Sequence, residues 1–188
     1  MNWKIHCRLQ VVLIGLILFP SACSREPSRS VPGPPDHLYS TRKRMEADKL
    51  ASIWVIKRFV NKEARFQYVV GELPLTNGIP IDAPEGELRR YANNSCFETI
   101  VNKYRIQVPG MQRMGRIIRD IEINYWAEKY FAETVPLSQE IEAIIDRHPN
   151  DPDACARESM VVFSRSLKDL SQQRQRNVKA SGQGGTAV

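Results

Sequence analysis

Apolar residues between positions 48 and 60 fall at Leu50, Ile53, Trp54, Ile56, Phe59 and Val60. This spacing predicts a helix. Its apolar face is too wide for a coiled-coil seam and suits a helix pressed into a core. Asp48 stands near its start and Lys57 and Arg58 near its end, where each sign complements the helix dipole. Asn61 is the expected stop. Arg65-Phe66-Gln67-Tyr68-Val69-Val70 then alternates polar and apolar, with β-branched and aromatic residues, as a strand does. Asn77-Gly78 marks a turn. Ile79-Pro80-Ile81-Asp82 reads as a second short strand, placed at a sheet edge because Pro80 has no N–H to donate. A two-stranded element is marginal alone, so it must lie on helices.

Further along, Ser95 and Glu98 have the spacing of a capping box, and Phe97, Ile100, Val101 and Tyr104 form one apolar helix face. Pro109-Gly110 marks a boundary. Met114, Ile117, Ile118, Ile121 and Tyr125 continue as an amphipathic helix, and Trp126, Tyr130 and Phe131 extend its apolar surface. The methionines read as core filler rather than metal ligands. Pro136 and Ser138 open another helix, with Ile141, Ile144 and Ile145 inward and His148-Pro149 at its end. Asp151-Pro152 has the form of an N-cap followed by a first-turn proline. The last helix carries Met160, Phe163, Leu167 and Leu170 on one face. The fold class is therefore mainly α (α+β): a single helical domain with a minor two-stranded β element, over residues 44–174. Residues 175–188 are polar and end in SGQGGTAV, which reads as a disordered tail.

The N-terminal segment reads differently. Lys4 and Arg8 precede the apolar run Val11 to Phe19, too short to span a bilayer as a mature helix but suited to the core of a secretory signal, assigned to residues 1–22. Ser21-Ala22-Cys23 resembles a bacterial lipobox, in which Cys23 is lipidated and becomes the mature N-terminus. Pro20 stands where that pattern normally has Leu. The alternative is ordinary cleavage after Ser24, giving a soluble periplasmic protein. Residues 23–43, centred on Val31-Pro32-Gly33-Pro34-Pro35, read as an extended tether. Thr41-Arg42-Lys43-Arg44 at its end is a basic cluster, read either as a solvated surface or as attraction to lipid headgroups or an oxyanion.

The whole chain carries a formal net charge of +6, and loss of residues 1–22 leaves 25 basic and 21 acidic side chains. This modest excess favours anions or anionic surfaces, and export argues against nucleic acid as a partner. Four cysteines are present. Cys7 lies in the leader and Cys23 at the cleavage site. Cys96 and Cys155 would remain in an oxidising compartment, where they could form one disulfide.

Asp48-x-Leu50-Ala51-Ser52-x-Trp54-x-Ile56-x-Arg58-Phe59, followed by Glu63-Ala64-Arg65-Phe66, resembles the opening motif of the bacterial chromate-resistance protein family. The match is to the C-terminal domain of its cytoplasmic members, also seen in exported ones. Gly78-Ile79-Pro80-Ile81-Asp82, Phe97-Glu98 and Ile117-Ile118-Arg119-Asp120-Ile121 continue the resemblance, which spans about residues 45–170. It implies a histidine and a cysteine flanking the turn between the second strand and the next helix, as candidates for metal binding or redox sensing. This chain departs there. Ser95 takes the cysteine position, Cys96 is displaced by one residue, and the histidine position falls near Arg90 or Tyr91.

After residues 1–22, two histidines remain, His37 and His148. No metal-cage spacing, Gly-rich phosphate loop or Gly-x-Ser-x-Gly elbow is present, so no metal, cofactor or catalytic residue is assigned. Asp48, Arg58, Arg65, Asp82 and Glu98 lie on the family-like motifs. One reading is salt bridging between the first helix, the strands and the capped helix. The other is a cleft where Lys49, Lys57, Arg58 and Arg65 bind a small oxyanion such as chromate, with Arg89 and Arg90 closing it from the loop and carboxylates orienting them. An envelope lipoprotein that uses the same core to hold a protein partner is the alternative function. A carboxylate-pair enzyme built on Asp48 and Glu98 is a third.

Overall fold

The computed structural model describes residues 37–182 except 72–73 and 125–127, with side chains up to 176. The signal segment, Cys23, most of the tether, Tyr125, Trp126 and the last six residues lie outside the described residues.

The sheet has three strands rather than two. β1 (Leu38–Arg42) lies between β2 (Arg65–Val69) and β3 (Ile79–Pro80), and both pairings are parallel. The tether assigned to 23–43 therefore ends earlier, and the basic cluster is the end of a central strand and the turn after it. Leu-Tyr-Ser-Thr-Arg is short, carries polar residues and follows a proline-rich stretch, so it lacks a clear strand signal. Pairing on both sides decides its conformation, and Tyr39, Ser40 and Thr41 are all buried. Tyr39 stacks on its cross-strand partner Phe66 at 5.4 Å. β3 is at an edge, as Pro80 predicts, and the next residue, Ile81, donates its N–H to Ser40 at 2.9 Å.

Five helices supply the rest: α1 (Ala47–Val55), α2 (Cys96–Lys103), α3 (Met111–Glu122), α4 (Thr134–Arg147) and α5 (Pro152–Gly182). The fold is mainly α with a minor β element. α1 is the hub. It packs against all four other helices, and every one of its residues is buried. Trp54 is at its centre, ringed by Phe59, Phe97 and Phe163 at centroid distances of 5.6, 6.2 and 5.8 Å. Its indole N–H donates to Ser164 Oγ at 3.0 Å. Beyond Val55 the helix widens into a π-helical turn, Ile56–Val60, which closes with Asn61 N–H on the Ile56 carbonyl at 2.8 Å.

The capping box at α2 forms in both directions. Glu98 N–H donates to Ser95 Oγ at 3.1 Å, and Ser95 N–H to Glu98 Oε2 at 3.0 Å. Asp151 caps α5 through Ala154 N–H at 2.9 Å. α5 continues past the boundary expected at 174 as far as Gly182. The added segment, Gln-Arg-Asn-Val-Lys-Ala-Ser-Gly, has no proline to stop it, and it extends a helix already nucleated by its packed first turns. Tyr130 lies outside the core at 75% exposure, whereas Phe131 is partly buried against it.

Cys96 and Cys155 are both buried free thiols, so the disulfide that the sequence left open is not formed. Cys96 Sγ donates to the Leu88 carbonyl at 3.2 Å, while Cys155 lies in the first turn of α5.

Candidate functional site

A parallel sheet brings the carboxyl ends of its strands to one edge, where the loops diverge and leave room for a ligand. Here that edge opens into a cleft of about 1050 Å³. Arg42, Lys43 and Arg44 line it from the end of β1, Gly71 from beyond β2, and Asp82, Arg89 and Arg90 from the loop after β3. Asp146 and His148 face it from the end of α4. The loop after β3 is folded back by Asp82 N–H donating to the Leu88 carbonyl at 2.8 Å, which returns Arg89 and Arg90 to the cleft. Asp82 takes a left-handed φ of 48°, a conformation that Asp tolerates better than most residues.

Below the cleft lies a polar network built on the start of α1. Asp48 is fully buried. Its carboxylate accepts the backbone N–H groups of Cys96 at 2.7 Å and Phe97 at 2.8 Å, so one helix caps the amino end of another. Glu122, the last residue of α3, in turn accepts the Asp48 N–H at 3.1 Å. Arg90 bridges the group: its Nε is 3.5 Å from Asp48, and its Nη2 is 3.2 Å from Glu122 and 3.6 Å from Glu46. Lys49, only 3% exposed, donates to the carbonyls of Arg42 at 3.2 Å and Arg44 at 2.5 Å, and lies 3.7 Å from Asp82. It thereby pins the turn that presents Lys43 and Arg44.

Burial shapes the titration of this network. It pushes the Asp48 carboxyl up to about 7 from the ordinary 3.8. The Phe97 N–H opposes the rise, the Asp82 charge adds to it, and the Cys96 N–H and Arg90 oppose it. Burial also raises Asp82, against Lys49 and Arg90. Burial acts to lower Arg90, but the charges of Asp48, Glu122, Asp82 and Glu46 hold it above the ordinary arginine value. The Cys96 thiol is pushed well above its usual value by burial and by Asp48 and Asp82, so it stays protonated at neutral pH.

The family model described as the ChrB C-terminal domain matches residues 39–168. The chain belongs to this chromate-resistance family. The match begins inside β1, in agreement with that strand's central place in the fold. No curated protein and no solved structure gives a significant match.

The expected site residues divide into two sets within this ChrB-type domain. Asp48, Lys49, Asp82 and Arg90 come together at the cleft and its floor, and Arg89 joins them. Lys57, Arg58, Arg65 and Glu98 do not line it. Lys57 Nζ lies 5.6 Å from the centre of the Phe66 ring. Arg58 and Arg65 are exposed elsewhere. Glu98 is held by the capping box and by Arg119 at 3.7 Å. Ser95 is fully buried as a cap.

Sequence reasoning missed Glu46 and Glu122, and it placed Arg42 and Lys43 at the end of a tether, in a basic cluster with Arg44 for which an oxyanion was one of the readings. Glu46 directly precedes α1, a position that could have signalled a role. Glu122 lies 74 residues from the amide it caps, and nothing local announces it. Among the described residues, no group of three or more His, Cys, Asp or Glu is arranged to hold a metal ion.

Proposed function

We propose that this chromate-resistance domain binds a small tetrahedral oxyanion, with chromate as the ligand, in the cleft at the carboxyl edge of its sheet. The observation that carries the reading is the lining of the cleft. Among the described residues, six basic side chains (Arg42, Lys43, Arg44, Lys49, Arg89 and Arg90) face three acidic ones (Glu46, Asp82 and Asp146). Guanidinium and ammonium groups on a partly enclosed wall attract a dianion more strongly than the same groups on an open surface. Lys49 and Arg90, already tied to carboxylates, form a fixed floor. Lys43, Arg44 and Arg89 lie around it.

The basic N-terminal segment, its apolar run and the lipobox-like Ser21-Ala22-Cys23 support an exported protein, lipid-anchored at Cys23 and facing the periplasm. Among the described residues no helix is long and apolar enough to cross a membrane. The role is non-enzymatic: capture of the oxyanion for an envelope resistance system.

The test is a thermal-shift series on the full chain with chromate, sulfate and phosphate at matched ionic strength. A ligand that binds only the folded state raises apparent stability with the logarithm of its concentration. Lys43→Ala combined with Arg44→Ala should abolish the shift. The backbone carbonyl of Arg44 remains in this variant, so Lys49 keeps its bond there. Absence of any shift with wild-type protein would remove the oxyanion reading in favour of an envelope protein partner.

A further inference from the structure

We infer that the cleft takes up a proton together with its oxyanion, and that the buried carboxyl of Asp48 holds this proton. The inference rests on the oxyanion reading above and describes how the same site is regulated. Arg90 is the link, because it lines the cleft and also serves the carboxylates below it. Its Nε is buried and makes no hydrogen bond, and Asp48 at 3.5 Å is its ion partner.

The groups facing Asp48 come from every element packed around it. Glu46 and Lys49 flank it on its own segment, and Asp82 and Arg90 approach from the loop after β3. The Cys96 thiol and the first amides of α2 lie on another side, and Glu122 comes from the end of α3. Four carboxyl groups thus share two cations. Asp146 and His148 are farther titratable groups on the opposite wall of the cleft, and His148 Nε2 is 2.7 Å from Glu158.

A dianion drawn to Arg89 and Arg90 adds negative charge beside this set. Solvent screens the partly exposed members, Glu46 above all, but not Asp48, which is enclosed. Neutralising Asp48 is therefore the least costly response. One solvent proton bonds to a carboxyl oxygen of Asp48, no other covalent bond changes, and the Arg90 guanidinium turns its charge toward the anion. Above the range in which free Asp48 is already protonated, anion affinity should fall toward tenfold per pH unit, on the order of one proton bound per anion.

The experiment uses sulfate as the probe, since it remains a dianion across the range and brings no titration of its own. Calorimetric titration of the full chain, at about pH 8 in two buffers of different ionisation enthalpy, reads the protons taken up per sulfate, expected to approach one. Asp48→Asn should bind sulfate with uptake near zero and a flattened pH profile. Asp82→Asn removes a neighbouring negative charge and should move the midpoint of the profile to lower pH, which a purely structural role would not do. His148→Gln should leave the uptake in place. Sulfate binding by the wild type without proton uptake overturns this inference and leaves the oxyanion reading standing. So does uptake that persists in Asp48→Asn and vanishes in His148→Gln. If sulfate and chromate both fail to bind, the oxyanion reading falls and the proton inference falls with it.

Discussion

The carboxylate of Asp48 in the first turn of α1 accepts the backbone N–H of Phe97 in the first turn of α2 at 2.8 Å. A charged residue that the helix dipole would place at its own helix's end thus serves the end of a different helix. Because Asp48 binds its proton more tightly folded (about 7) than at the ordinary 3.8, unfolding between these values releases a proton. The contribution of this group to stability is fully present at low pH and is lost as pH rises through about 7. Asp120 has the opposite sign. Burial pushes it up, but hydrogen bonds from Thr134, Asn124 and the Tyr130 N–H hold it below its usual value, so its contribution is lost as pH falls. In urea denaturation between about pH 4 and about pH 7, the stability of Asp48→Asn relative to the wild type should rise with pH, because the variant lacks the contribution that Asp48 loses over this range. An unchanged slope in the variant would refute the assignment.

Trp54→Ala should be the most damaging core substitution. The side chain is 1% exposed and packs on three aromatic rings. Truncation of such a residue costs about 3–5 kcal/mol, because neighbours fixed on separate helices cannot close the cavity. Chemical denaturation followed by far-UV circular dichroism reads the loss. Trp54→Phe should lose less, since an aromatic ring still fills most of the site and the loss is the bond to Ser164 plus a smaller cavity.

Ser95→Ala should cost about 1 kcal/mol, through loss of the cap on the Glu98 N–H. Ser95→Cys should cost a similar amount, because a thiol is a weak acceptor. A Ser95→Cys variant as stable as the wild type would show that capping is not why serine suits this position.

Neither Cys96 nor Cys155 should react with a thiol reagent until the domain unfolds. Both are buried, and burial raises Cys155 to about 11 and Cys96 well above its usual value. Peptide mapping of labelled protein should find both modified only in denaturant. Labelling of Cys96 at the rate of a free thiol in the folded state would contradict the packing of α2 against α1.

Much of the fold was legible in the sequence, because its signals are local. The apolar positions of α1, the Ser95–Glu98 box, Asp151-Pro152 and the edge proline Pro80 can each be read from a few adjacent residues, and each does in the structure what its local pattern predicts. β1 lacked such a signal. Leu38–Arg42 becomes a strand because β2 and β3 pair with it from either side, and both lie later in the chain.

The candidate site divides in the same way. Residue chemistry alone marked Asp48, Lys49, Asp82 and Arg90 as charges in need of partners, and family motifs placed two of them, Asp48 and Asp82. The motifs also marked Arg58, Arg65 and Glu98, which are directed elsewhere. Helix and strand period determines which residues share a face of one element. It does not determine which faces of different elements meet. The partnership of Asp48 with the amides of α2, of Glu122 with the start of α1, and of Arg90 with three carboxylates depends on α1 being buried on every side. An enclosed charge must find its partners wherever packing brings them, and packing is a property of the assembled chain. The sequence by itself therefore determined the elements and their caps, and the tertiary structure decided the cleft.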